Sequence, residues 1–372
     1  MKMTFLLIYT TVLTAILNGT LVAGQVEFNR DVLPILSDNC FKCHGPDAAE
    51  RKASLRLDVS EVPRSLLPSG KIAIVPGEVA ASELIRRITS GDPAMRMPPV
   101  DSNKHLTKAQ IGTLRSWIEQ GGEYQPHWAY IALRKVTPPV VENESFVRNE
   151  IDRFILARLE EKGLHPSALA DRVTLIRRLS FDLTGLPPSV EQLDAFLSDD
   201  GADAYGNLVD RLLASPHYGE RMAMHWLDLV RYADTVGYHG DQNVSVWPYR
   251  DYVVKAFNEN IPFDRFTREQ LAGDLIQDQK VDQKVASGYN RLLQTTEEGG
   301  AQAKEYLSIY FADRVRNLSS VWMGATVGCA QCHDHKFDPF TTKDFYSLGA
   351  FFADIEEQGV YGGRDDHGDA RR

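Results

Sequence analysis

The chain has 372 residues, 43% of them hydrophobic and 25% charged, and a formal net charge of −10. That length suggests two domains, or three small ones. The acidic balance argues against a nucleic-acid partner, which a basic face would mark, and no Ser-His-Asp set, phosphate loop or dinucleotide fingerprint stands out.

The first two dozen residues differ from the rest. Lys2 precedes an apolar run from Thr4 to Leu17, and small residues follow at Val22-Ala23-Gly24. A positive end, an apolar core and a small-residue junction make a signal-peptide pattern. The core is 14 residues long, short of the roughly 20 that span a bilayer. Residues 1–24 are therefore expected to be cleaved rather than kept as an anchor, with the mature chain starting near Gln25. No other segment is long and apolar enough to span a membrane, so the expected location is exported, periplasmic or cell-envelope.

Residues 25–124 form one small unit. Asn29 is placed to cap a short helix whose apolar face is Phe28, Val32, Ile35 and Leu36. That helix leads into Cys40-Phe41-Lys42-Cys43-His44, and Gly45-Pro46 ends the local helix. A second helix is predicted over Ala81 to Thr89, followed by a loop that holds Met95, Met97, Pro98 and Pro99. Thr107-Lys108-Ala109-Gln110 reads as a capping box for a last helix. Ile111, Leu114, Trp117 and Ile118 are its apolar face, and Gly121 lies where a helix-ending glycine belongs.

All four cysteines of the chain lie in two C-x-x-C pairs, each followed directly by His: Cys40, Cys43, His44 and Cys329, Cys332, His333. Three chemistries use such pairs. In haem attachment the two thiols add to the two vinyl groups of one haem, and the next residue, His, becomes the proximal iron ligand. A Cys₄ or Cys₂His₂ zinc site does not explain the His directly after both pairs. A redox disulfide expects a βαβ setting, whereas these flanks look helical. Two covalently attached haem c groups are expected. In the first unit Met97 is the expected sixth ligand, with Met95 as its competitor. Two prolines after Met97 hold an extended path, and a thioether favours reduced iron and raises the potential. The other reading of Met97 is packing, since Met commonly fills gaps.

Residues 125–148 contain Pro126, Pro138 and Pro139 and lack periodicity. They read as a linker with a short extended piece at Trp128 to Leu133. From residue 149 to about 355 the pattern is helical, with segments at Ile151–Lys162, Ala170–Leu179, Val190–Leu197, Ala204–Ala214, Tyr218–Ala233, Tyr249–Asn258, Phe263–Gly273 and Lys304–Met323. The second motif closes this domain. Candidates for its sixth ligand are His217, Met222, Met224, His225, His239 and Met323. His225, mid-helix beside Trp226, is named first, although a lone His among apolar residues is more often a core residue. A five-coordinate iron would suit catalysis. His335 is too close to His333 to reach the opposite face of the same haem, which leaves it to donate a hydrogen bond or serve a substrate; Asp334 and Asp338 could bind a cation but read as solvated carboxylates. A polar tail from Glu356 to Arg372 looks disordered. The fold class is mainly α, a small cytochrome c domain followed by a larger multi-helix domain.

Two sets of motifs carry a family resemblance. The first is Asp31-Val32-Leu33-Pro34-Ile35-Leu36 before Cys40, Val75-Pro76-Gly77, Arg96-Met97-Pro98-Pro99 and Trp117-Ile118-Glu119-Gln120-Gly121. The second is Phe181-Asp182-Leu183-Thr184-Gly185-Leu186-Pro187-Pro188, His225-Trp226-Leu227-Asp228-Leu229, Glu269-Gln270-Leu271-Ala272-Gly273-Asp274 and Cys332-His333-Asp334-His335-Lys336-Phe337-Asp338-Pro339. With these the chain resembles the exported cytochrome c-like proteins abundant in Planctomycetes, in which a cytochrome domain precedes a helical domain of unknown function. The resemblance implies haem at both motifs and export, and it implies no reaction. Members continue with a further large domain, so it also implies a truncated member or a fragment. Electron transfer to an unidentified redox partner protein is the leading function. A dihaem redox enzyme, peroxidase-like or an oxidase of a small or carbohydrate substrate, is the alternative, and a non-catalytic assembly module is the third.

Overall fold

The computed structural model describes residues 25–238 and 241–361. The expected leader, His239 and residues 362–372 lie outside them. The fold is mainly α-helical, with isolated bridges at Leu66–Ile72 and Thr235–Asn243. No described helix is long and apolar enough to cross a membrane. The chain divides into two compact units, Met1–Ile131 with Lys336–Asp338, and Ala132–His335 with Pro339–Arg372.

The first unit contains α1 (Leu33–Asn39), the single turn α2 (Phe41–His44), α3 (Glu83–Ile88) and α4 (Lys108–Glu119). A π-turn, Phe28–Val32, precedes α1. Asn29 lies inside that turn and caps nothing there. Its Nδ2 donates to the Pro126 carbonyl at 2.7 Å, and the Glu27 N–H is taken by Asp31 instead. Pro34 then sits in the first turn of α1, where its missing N–H costs no bond. Thr107 and Gln110 form the reciprocal capping box that starts α4. The core joins Val32 and Leu36 to Ile74, Leu114, Trp117 and Ile118, each at most 1% exposed. Trp117 donates its indole N–H to the Glu123 carbonyl at 2.9 Å, so its one polar atom is satisfied inside the core.

The expected extended piece at Trp128 to Leu133 is instead a 3₁₀ turn at Trp128–Tyr130. The His127 ring accepts from the Ala129 N–H, and the Tyr130 N–H closes on the His127 carbonyl. Local capping outcompetes extension there.

In the second unit, α5 (Glu150–Glu161), α6 (Arg172–Thr184), α7 (Val190–Leu197), α8 (Ala204–Leu213) and α9 (Pro216–Leu229) come first. They are followed by α10 (Trp247–Asn258), α11 (Phe263–Ala272), α12 (Val281–Ala286), α13 (Ala303–Met323) and α14 (Thr342–Gly349). Side-chain caps at Asn149, Asp171, Ser189 and Ser215 start four of these helices. α6 runs past the expected Leu179 to Gly185, whose left-handed φ of 72° ends it. Between α9 and α10 the backbones approach so closely that a Cβ on Gly219 would lie 2.4 Å from the Val254 carbonyl oxygen. That crossing frames the main core, with Trp226, Tyr249, Val253, Phe266 and Tyr289. Its buried polar atoms are paired: Gln270, fully buried, accepts from the Trp226 indole at 3.0 Å and the Tyr249 hydroxyl at 2.5 Å.

Residues 356–361, read from the sequence as the start of a disordered tail, are packed into the second unit. Arg314 and Glu357 form a forked ion pair at 2.8 and 2.6 Å, and their side chains are 5% and 10% exposed. The Tyr361 N–H donates to the Thr296 carbonyl, and the ring is buried against Tyr310. A polar segment is ordered here because its carboxylate neutralises an arginine that the core has already desolvated. Glu357→Ala leaves Arg314 buried and unpaired. Denaturant unfolding of that variant is expected to show a loss of about 3–5 kcal/mol, and a loss below about 0.5 kcal/mol would contradict the burial.

Candidate functional site

One helical turn builds the first site. Cys40, Cys43 and His44 are spaced i, i+3 and i+4, so a single turn brings all three side chains to one face. The turn is continuous with α1: the Cys40 N–H donates to Leu36, and the His44 N–H to Cys40, both at 2.8 Å. It stops at Gly45, where a Cβ would stand 2.3 Å from the Phe41 carbonyl oxygen. The carbonyls of Cys43 and His44 are then taken by the N–H groups of Lys52 and Leu57, which folds the following chain back over the turn.

That folding encloses a cavity of about 650 Å³, lined by Cys40, Cys43, His44 and Met97. Leu55, Leu57, Leu84 and Ile88 supply apolar wall, and Lys52, Glu83 and Arg87 lie among its charged lining. Met97 packs against the core of the first unit and its N–H donates to the Arg87 carbonyl at 3.1 Å. Met95 takes a different place, with its sulfur 4.0 Å from Arg86 Nη1. The buried Glu83 carboxyl is held below the usual carboxylate range by Arg86 first and also by Arg87.

The chemistry of this donor set is specific. His44 Nδ1 is buried without a hydrogen-bond partner. Burial pushes the His44 pKa down, outweighing a backbone hydrogen bond at Lys52 that raises it, and the nearby Arg87 charge acts with burial. The net shift favours neutral imidazole, the form that donates a lone pair to a metal. Burial likewise pushes the Cys40 thiol up to about 12, which keeps it protonated at neutral pH. None of the four cysteines forms a disulfide. Two thiols, a neutral imidazole and a thioether around an apolar cavity fit a haem attached through both cysteines.

The second motif is built differently. A 3₁₀ turn, Val327–Gln331, carries Cys329, and Cys332 and His333 follow it; all three side chains are exposed. The turn rests on α13 and α14 through Val315, Val327, Ala330 and Phe345. The α13–α14 approach needs glycine at 349, where a Cβ would fall 2.0 Å from the Phe311 ring. His333 donates its Nδ1–H to the Asp334 carbonyl at 2.8 Å, which leaves Nε2 with the lone pair. The loop after it is pinned by His335, 7% exposed, whose Nε2 pairs with Thr326 Oγ1 at 2.9 Å. The His335 N–H donates to Phe340 and the Thr342 N–H to Asp334 Oδ1. The sequence singled out His335 but not Thr326, because a lone Thr nine residues away carries no signal until the loop folds.

The family profile described as PSCyt2, a protein of unknown function (DUF1549), matches residues 150–357, more than half of the chain. The chain belongs to the PSCyt2 family. A second profile, Planctomycete cytochrome C (PSCyt1), matches residues 40–101, from the first cysteine through Met97 to Asp101. This PSCyt2 protein therefore carries a haem-binding cytochrome c domain, which implies covalently bound haem c. No curated protein and no solved structure matches the chain.

The remaining ligand candidates of this PSCyt2 chain are scattered. His225 is on the exposed side of α9, not among apolar residues as its neighbours suggested; it is Trp226 that turns inward. α9 packs on α6 and α10, whereas the second motif packs on α13 and α14. His217 pairs with Glu220 at 2.8 Å, and Met224 and Met323 are 58% and 44% exposed. In haem-free protein at neutral pH, iodoacetamide is expected to alkylate Cys329 and Cys332 well before Cys40, followed by peptide mass spectrometry. Equal rates at all three would contradict the difference in burial.

Proposed function

We propose that this chain is an exported dihaem c-type cytochrome whose function is electron transfer to a partner protein. One observation carries the reading: the first cavity gathers Cys40, Cys43, His44 and Met97 behind apolar walls. When bound, haem supplies reversible one-electron exchange; the protein supplies ligation, orientation and a dry site. Cys40 and Cys43 tether the group. His44 would offer the iron neutral imidazole, and Met97 a soft sulfur that would favour the reduced state. Leu55, Leu57, Leu84 and Ile88 line the cavity and would keep water from a haem bound there. The same attachment is proposed at Cys329 and Cys332, with His333 as proximal ligand; its engaged Nδ1–H supports Nε2 as the iron-facing atom.

The exposure of the second motif favours a further reading, that its iron takes an exchangeable sixth ligand and performs redox chemistry on a small molecule. His225 is an exposed residue of α9 and remains one candidate partner for it.

Two measurements test this. Met97→Ala is expected to abolish the sulfur-to-iron charge-transfer band and to lower the midpoint potential of one haem by on the order of 0.1 V, within the roughly 0.8 V that axial ligands span. An unchanged spectrum and potential would remove Met97 as ligand. Cyanide titration of the oxidised wild type is expected to perturb the second haem at lower concentration than the first. Equal resistance of both haems would leave electron transfer alone.

A further inference from the structure

A second cavity, of about 590 Å³, lies wholly within the helical unit, between α6, α7, α8 and α9. The haem sites make no use of it. Its walls are largely apolar, with Leu186, Pro187, Leu208 and Leu212 among them. Ser180 lines it from α6; the residue is 1% exposed and its Oγ has no hydrogen-bond partner. A buried hydroxyl without a partner is costly, and a ligand in the cavity would satisfy it.

The charged groups at this cavity are Glu191, Arg211 and His217. Glu191 sits in the first turn of α7, where its own backbone N–H and then the Ser189 hydroxyl hold its carboxyl below the usual range. His217 is paired with Glu220. Arg211 is left: among the described residues its guanidinium has neither hydrogen bond nor ion pair. The first turns of α7 and α9 both reach the cavity through Ser189 and Ser215, and helix N-termini add positive potential. A free guanidinium beside apolar walls selects an anion with an apolar body, because Arg pairs carboxylate oxygens in a fork.

We infer that this cavity binds a small organic carboxylate, paired by Arg211 and hydrogen-bonded by Ser180, with its apolar body against Leu186, Pro187, Leu208 and Leu212. The volume suits such a ligand, within the about 300–1,000 Å³ of small-molecule sites.

Calorimetric titration of the full chain with hexanoate and benzoate, against hexanol and benzyl alcohol, is the test. Saturable one-to-one binding of a carboxylate is expected, about tenfold or more tighter than its alcohol, since charge-assisted bonds exceed neutral ones by about that factor. Arg211→Gln is expected to weaken it by a similar factor. Ala195→Trp, at an exposed lining position, is expected to abolish it by filling the cavity; circular dichroism checks that both variants fold. Failure of both carboxylates to saturate overturns the inference. So does equal affinity for the alcohols, or binding that survives in Arg211→Gln. The haem spectra do not enter the readout, so the outcome is independent of the electron-transfer reading.

Discussion

Everything at the first site depends on one constraint: two thiols and an imidazole must share one face of one helical turn. The i, i+3, i+4 spacing of Cys40, Cys43 and His44 meets it only while the turn stays helical, and only if the chain then leaves at once. Gly45 permits that exit, since any side chain there would strike the Phe41 carbonyl. The rest of the first unit follows from the same turn. α1 supplies its N-terminal support, and the N–H groups of Lys52 and Leu57 cap its last carbonyls. Leu55 and Leu57 from the segment they fold back, and Met97 further along the chain, line the same cavity.

The second motif has the same spacing and a different setting. Its turn is held from below by α13 and α14, and from the side by the His335–Thr326 pair, yet its cysteines and His333 face solvent. Burial is what separates the two. It raises the Cys40 thiol and lowers His44. An open motif instead exposes whatever binds there to small molecules.

Local rules made much of this legible. The capping box at Thr107 and the apolar face of α4 rest on residues a few positions apart, and both are present. The departures needed partners from far along the chain. Asn29 looks like a cap until Pro126 arrives to take its amide. Glu357 looks like tail until Arg314 is buried beside it. His225 looks like a core residue because Trp226 is one, but one step along a helix is about 100° of rotation, enough to turn it outward. Two prolines distinguish Met97 from Met95 in the sequence, whereas the contact of Met95 with Arg86 has no sequence signature.

Two haems on one chain is the claim from which electron transfer follows. Peptide mass spectrometry of the haem-loaded protein tests it most directly. The account predicts one haem mass added to the peptide containing Cys40 and Cys43, and one added to the peptide containing Cys329 and Cys332. A chain with haem on the first pair alone, or with a disulfide within either pair, would contradict it.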